Sequence, residues 1–411
     1  MNTHATSRFE NVINSPAFVA DPYEVFCEMR TDDPVLWSDG IGGWILTRYD
    51  DIVVSFKETS SFSNEGRLAQ SVEHLTGASR ERLAKFEAHY RTKGLLHSDP
   101  PDHTRLRSLV TKAFTPRVIE TLKPRIKEIV TDLLKEASAR GDIDIVRDLA
   151  IPLPATVIAE MLGAPTADRH RFRKWADDLL AFQGINKPPE AVLLQAQESL
   201  IEMRDYLMVQ IEEKRTNPKD DLLTKLVQAE SEGDRLSVAE LINTCVTLLV
   251  AGHETTTSLL GSSVFTLLTH PEALAKIRAD WDLLPQAIEE VLRYESPVSR
   301  QPRLMKRDFE LDGKLLKKGE IVFQMLNAAN RDPAHFENPE TFDIFRKNNR
   351  HLAFGQGIHF CVGATLARAE ANIALKTLFE MFPNIALVDP NPDWDVEKRN
   401  SRMLRKLPVS V

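Results

Sequence analysis

The sequence predicts a mainly α-helical protein with a small β-rich part, built as one unit of 411 residues. From about 116 to 268, apolar residues return at every third or fourth position, as in "VIETLKPRIKEIVTDLLKEA", which is the period of a one-sided helix. Short alternating segments with Asp-Gly turns occur at about 34–56 and 296–325, and a similar pattern at 383–411. These β-rich parts come from the two ends and the middle of the chain, so no cut separates them from the helical parts at about 98–295 and 364–381. A single domain over 1–411 is expected.

Composition narrows the function. With 42% hydrophobic and 27% charged residues the chain can bury a large core. A net charge of −8 and a pI near 5.8 argue against nucleic acid as a partner. Cys27, Cys245 and Cys361 are odd in number and far apart, which excludes a disulfide framework or an all-cysteine zinc site. Cys27 and Cys245 read as core residues. The opening "MNTHATSRFENVINSPAF" carries no apolar run of signal-peptide or anchor length, so a soluble, cytoplasmic protein without a membrane anchor is expected.

Taken in chain order, "PVLWSDGIGGWILTRY" reads as a hairpin around Asp39-Gly40. The polar segment 67–93 and the break at 183–189 read as flexible loops over a binding site. "HTRLR" sets His103 and Arg107 one helical turn apart, and Arg303 follows "SPVSRQP"; these are solvated charges unless a common anionic ligand gathers them. Ser237 and Glu240 form a capping box before "LINTCVTLLVAGHETTTSLLGSSVFTLLTH", a helix on the order of 50 Å long. Its "AGHETT" centre is polar where an apolar run belongs. Either Gly252 permits close packing, Thr255, Thr256 and Thr257 bond back to the preceding turn and Glu254 reaches solvent or an arginine, or Gly252 and Thr255 open the helix at a ligand.

In "LPQAIEEVLRYESP", Glu290 and Arg293 share one face of a helix opened by Pro285, and most such pairs are exposed and worth under about 1 kcal/mol. In "HLAFGQGIHFCVGATLARAE", Gly355, Gly357 and Gly363 surround Cys361 just ahead of a helix, a frame that keeps side chains away from the sulfur.

Together, and in this order, these stretches resemble a bacterial, soluble cytochrome P450 over essentially the whole chain. "FGQGIHFCVG" fits the family's Phe-x-x-Gly-x-x-x-Cys-x-Gly loop, "AGHETT" its oxygen-activation segment and "EVLR" its Glu-x-x-Arg signature. The resemblance implies a triangular, prism-like fold with a long central helix crossing heme b (iron protoporphyrin IX). It assigns Cys361 as the iron ligand, a thiolate favouring O–O cleavage. His103, Arg107, Arg303 and His359 would bind the heme propionates, and Phe354 and Gly363 would lie beside the sulfur. Glu290 and Arg293 would form a buried network. Thr341 stands where many relatives carry an arginine, which makes Arg346 the candidate third member.

The resemblance further implies a monooxygenase that inserts one atom of dioxygen into a small or medium hydrophobic substrate by hydroxylation or epoxidation. Thr255 would hydrogen-bond the oxygen or a nearby water, Glu254 would connect it to solvent, and His253 is a further neighbour. Leu248, Ala251, Val298, Ser299, Arg300 and Asn400 are candidate pocket residues, with Arg300 read as facing solvent rather than a substrate carboxylate. Electrons would come from a ferredoxin or flavodoxin with its NAD(P)H reductase, docking on Arg105, Lys112 and Arg117 of a monomer. Three alternatives are a heme-thiolate protein that only binds a gas or ligand, a peroxide-driven peroxygenase and a helical scaffold without heme. Peroxide-driven relatives lack the acid–alcohol pair that Glu254 and Thr255 supply here.

Overall fold

The computed structural model describes residues 7–13, 15–231 and 234–411, and they pack as two compact units. The first comprises the described residues up to Phe62, with Leu122–Leu153 and Thr255–Val411; the second comprises Ser63–Thr121 and Pro154–Glu254.

The first unit is organised by a five-stranded sheet in the order Val35–Ser38, Gly43–Leu46, Ile321–Met325, Arg300–Met305, Phe62–Ser63. The first two strands form the expected antiparallel hairpin. Trp44 then pairs in parallel with Val322, and Val322 opposes Arg303 across an antiparallel ladder. The sheet buries Trp44, Phe62 and Val322 against Ile52 and Phe56 of the helix Tyr49–Lys57 and against Leu352. That helix corrects the β-rich reading of 34–56: Tyr49, Ile52, Ser55 and Phe56 bury one face at helical spacing. A second sheet joins Ala386–Leu387, Pro408–Ser410 and Ile143–Asp144, a pairing between the chain end and a segment read as wholly helical.

In the second unit, the segment 67–93 is not a plain loop: a 3-10 turn Ala69–Val72 and helices Ala78–Arg82 and Ala84–Arg91 occupy it. The helix Asp102–Ala113 follows, with Arg169–Ala181 and Glu190–Thr216 beyond.

The central helix Val238–Thr269 has 32 residues, about 48 Å at 1.5 Å per residue. Its start is the capping box: Ser237 N donates to Glu240 Oε2 at 2.8 Å, and Glu240 N donates to Ser237 Oγ at 3.3 Å. Cys245 is buried, but Cys27 is exposed, correcting its reading as a core residue. It lies on the outer side of Tyr23–Asp32, whose neighbours Phe26, Met29 and Arg30 face inward. No helix among the described residues is long and apolar enough to cross a membrane.

Candidate active site

Cys361 is half-buried, and its backbone shape is set by local bonds. Its N–H donates to Phe354 O at 3.0 Å, closing the loop on itself, and Gly355 and Gly357 take φ of +67° and +72°, a region costly for any residue with a Cβ. A Cβ at Gly357 would come within 3.0 Å of Phe56 O, so the loop lies directly on the end of helix Tyr49–Lys57. Gly363 caps the 18-residue helix Ala364–Met381, and a Cβ there would stand 3.9 Å from Cys361 Sγ. The sulfur therefore lies just ahead of a helix N-terminus, whose partial positive charge favours an anion.

Residues beside the glycine loop fix its position. Gly355 packs 3.5 Å from Phe56 in its Cβ direction and 3.9 Å from Gln301 Oε1. Arg303, buried on its strand, lies 5.4 Å from the Phe56 ring and donates Nη2 to Gln301 Oε1 at 3.4 Å. On the other side Arg368 lies over the Phe354 ring at 4.4 Å and holds Glu289 through bonds of 2.7 and 2.8 Å. His351 Nε2 lies 3.1 Å from Glu289 Oε2, and Ala353 N donates to His351 Nδ1 at 3.2 Å. Burial would raise the Glu289 carboxyl, but Arg368 and His351 hold it down to about 2. Gln301, Phe56, Glu289, His351 and Arg368 were missed from sequence. Their roles depend on partners far along the chain, which no local pattern signals.

The structure also assembles the buried ion network. Glu290 and Arg293 have side chains 1% and 0% exposed and meet through two bonds of 2.8 and 2.9 Å. Arg346 Nε donates to both Glu290 oxygens at 3.1 Å, and Asn349 Nδ2 and Asp343 N donate to the same carboxylate. Arg293 spends its remaining donors on the carbonyls of Asn330, Pro339 and Thr341. Thr341, standing where an arginine was sought, contributes its carbonyl to Arg293 and Arg346 alike.

Val298, Ser299, Arg300 and Asn400 come together. Val298 bridges Ser401, Ser299 N donates to Asn400 O at 2.9 Å, and Arg300 Nε donates to Asn400 Oδ1 at 2.9 Å. Arg300 is only 6% exposed, which corrects its solvent-facing reading. Burial, with the neighbouring Arg399 charge, pulls its guanidinium down to about 10, and it lines a pocket with Phe18, Phe26 and Met325.

On the central helix, Leu248, His253 and Glu254 are buried, whereas Ala251 is exposed and Thr255 half-exposed. Thr247, Ala251 and Thr255, four residues apart on one face, are among the less buried positions of the helix, with Val250 and Gly252 beside them, and the Cβ direction of Gly252 meets nothing within 4 Å. In the second unit His103 is buried beside Arg107, one turn away on Asp102–Ala113. Burial and the Arg107 charge push its imidazole below the ordinary value, offset by Asp99. His359 and Lys112 keep their sequence positions in the loop and helix. Arg105 of the expected basic patch is neutralised by an ion pair with the capping Glu240.

One buried acid stands outside these groups. Glu370, on the helix after Cys361, is 2% exposed, and its Oε2 has no hydrogen-bond partner among the described residues. Burial pushes its carboxyl from 4.5 up to about 8, so it is neutral in the fold at pH 7 while the unfolded chain ionises. Stability should fall as pH rises from about 4.5 to 8, by a few kcal/mol in order of magnitude. Glu370→Gln should melt higher than wild type at pH 8 and equal to it near pH 4.5, measured by calorimetry.

The half-buried Cys361 thiol, in a glycine-bearing loop just ahead of a helix N-terminus, is a donor that fits a heme-thiolate group. The Cytochrome P450 family model matches residues 68–409, and the chain belongs to the cytochrome P450 family. Cytochrome P450 107B1 of Saccharopolyspora erythraea is 44% identical over 400 residues, covering 96% of each chain. Among solved structures, P450BioI in complex with hexadec-9Z-enoic acid ligated acyl carrier protein matches at TM-score 0.87 and 34% identity, covering 97% of this chain and all of that one. The myxobacterial cytochrome P450 CYP267B1 in complex with myristic acid matches at TM-score 0.86 and 37% identity, covering 98% and 99%. The protein is an oxidoreductase of the monooxygenase class with a heme-iron cofactor.

Proposed function

We propose that both units act as one domain that binds heme b through Cys361 and oxidises an apolar substrate carrying a long chain. The observation that carries this reading is the glycine-framed Cys361 ahead of the Gly363 cap. The heme, when bound, supplies reductive activation of dioxygen. His103, Arg107, Arg303 and His359 are the donors for its carboxylates, and Phe354, fixed beneath Arg368, shields the sulfur. Support for the substrate class comes from the two neighbours whose solved complexes hold fatty acyl ligands. Leu248, Ala251, Val298, Ser299, Arg300 and Asn400 remain the candidate pocket residues. For an acidic ferredoxin or flavodoxin with its NAD(P)H reductase, the exposed Lys112 and Arg117 are the candidate contacts on a monomeric protein.

Thr255, half-exposed on the central helix, hands protons toward the reacting oxygen, with Glu254 as the acid behind it. Thr255→Ala should keep heme and reducibility but lower product per reducing equivalent several-fold, toward or below the ~10²–10⁴ range for a positioned proton donor, with hydrogen peroxide in its place. Thr256, buried one position round the helix, is the control, and Thr256→Ala should stay coupled. Equal coupling in wild type and Thr255→Ala would remove Thr255 from proton delivery.

A further inference from the structure

A small pocket lies on the side of the five-stranded sheet away from the Cys361 loop, and the register decides the side. Partners across an antiparallel ladder share a face, and successive residues of a strand alternate. Val322 opposes Arg303, and both belong to the face that packs on Phe56, where Gln301 Oε1 stands 3.9 Å from the Cβ direction of Gly355. Met325 opposes Arg300 on the other face, where Met325 packs with Ile13, Phe18 and Phe26. Arg300, grouped above with the candidate substrate-pocket residues, therefore faces away from the glycine loop and lies over the Phe323 ring at 5.2 Å.

In this pocket two cations meet an apolar wall. Ile13, Phe18, Phe26 and Met325 line it together with Arg300 and Arg399. Arg300 is buried, and the bond from its Nε to Asn400 Oδ1 at 2.9 Å aligns its guanidinium. Arg399 is exposed, and its charge acts on that of Arg300 in the direction of repulsion. Side by side, the two favour an anion between them, and a planar guanidinium matches a carboxylate. The frame is preformed: Ser299 N donates to Asn400 O at 2.9 Å, and Arg402 Nη1 donates to Val19 O and Ala20 O at 3.2 and 2.9 Å. The cavity holds about 30 Å³, room for about two or three water-sized groups, so it takes a carboxylate and the carbon beside it and not a whole substrate.

We propose that Arg300 and Arg399 form a second ligand site, separate from the heme pocket, that binds the carboxylate of a small organic acid or the acid end of a longer one, with its first carbons against Phe18, Phe26 and Met325. The site is built from the first unit alone and stands independently of the substrate class proposed above. Arg300 then belongs to this site and not to the substrate pocket.

The test titrates butyrate, octanoate and neutral butyramide into heme-loaded wild type, Arg300→Met and Arg399→Gln by calorimetry, with phenylimidazole saturating the iron so that the heme pocket is filled. Wild type should bind butyrate about tenfold or more tighter than butyramide, the worth of one hydrogen-bonded charge, and should melt higher in its presence. Arg300→Met should abolish the preference. Arg399→Gln, at an exposed position, should fold as wild type and lose part of the preference, so the test holds even where Arg300→Met fails to fold. Octanoate binding tighter than butyrate would make a longer acid the ligand, and equal binding a short one. Butyrate bound no tighter than butyramide, a preference unchanged in Arg399→Gln, or binding abolished by phenylimidazole would each overturn the proposal. None of these results touches the heme-thiolate assignment, which the reduced carbon monoxide spectrum reports separately before phenylimidazole is added.

Discussion

Cys361→Ser should leave a protein that melts within a few degrees of wild type yet loses monooxygenation by roughly 10³-fold or more, the scale on which enzymes lose rate when a group acting at the reacting centre is removed. The fold should survive because the loop is held by main-chain bonds. The donation from Cys361 N to Phe354 O, the positive-φ glycines and the seat on Phe56 are all independent of the sulfur. Serine is nearly isosteric, but at neutral pH its hydroxyl is not an anionic donor to iron, so the electron push for O–O cleavage is lost. Melting temperature, heme content and product formation, measured on one preparation, check it. Activity within tenfold of wild type would mean that another group serves the iron.

Glu290→Ala should have the largest effect on folding. The carboxylate accepts from Arg293, Arg346, Asn349 and the Asp343 amide, and both arginine side chains are nearly sealed from water. Removing it strands two buried cations, and breaking even one buried pair costs about 3–5 kcal/mol. Soluble yield, heme loading and the unfolding midpoint in urea should all fall. Because the network lies behind the Glu289–Arg368 clamp on Phe354 and not on the sulfur, Glu290→Ala protein that does fold should retain its thiolate spectrum. An unchanged midpoint would mean that the network contributes little to stability.

The strongest features were legible because their signals are local. The capping box of Ser237 and Glu240, the unbroken apolar period behind it and the glycines around Cys361 each lie within a few turns of sequence. Arg346 was found from a missing arginine at Thr341, and its atoms meet those of Glu290. Short helices escaped notice: Ala78–Arg82 and Ala84–Arg91 are too brief for periodicity to show, and packing rather than propensity stabilises such pieces. Non-local burial escaped too. Arg300 lies over Phe323 and lines a pocket with Phe18 and Phe26 from the far N-terminal part of the chain, and Ile143–Asp144 is a strand only because Pro408–Ser410 pairs with it. Cys27 was misplaced because a lone cysteine carries no periodic signal of its own.

The identity of the iron ligand is tested most directly by the spectrum of the reduced carbon monoxide complex, recorded for wild type and Cys361→Ser side by side. Wild type should show the red-shifted thiolate band, and the variant should lack it while still binding carbon monoxide. A red-shifted band that persists in Cys361→Ser, or its absence from heme-loaded wild type, would contradict ligation by Cys361.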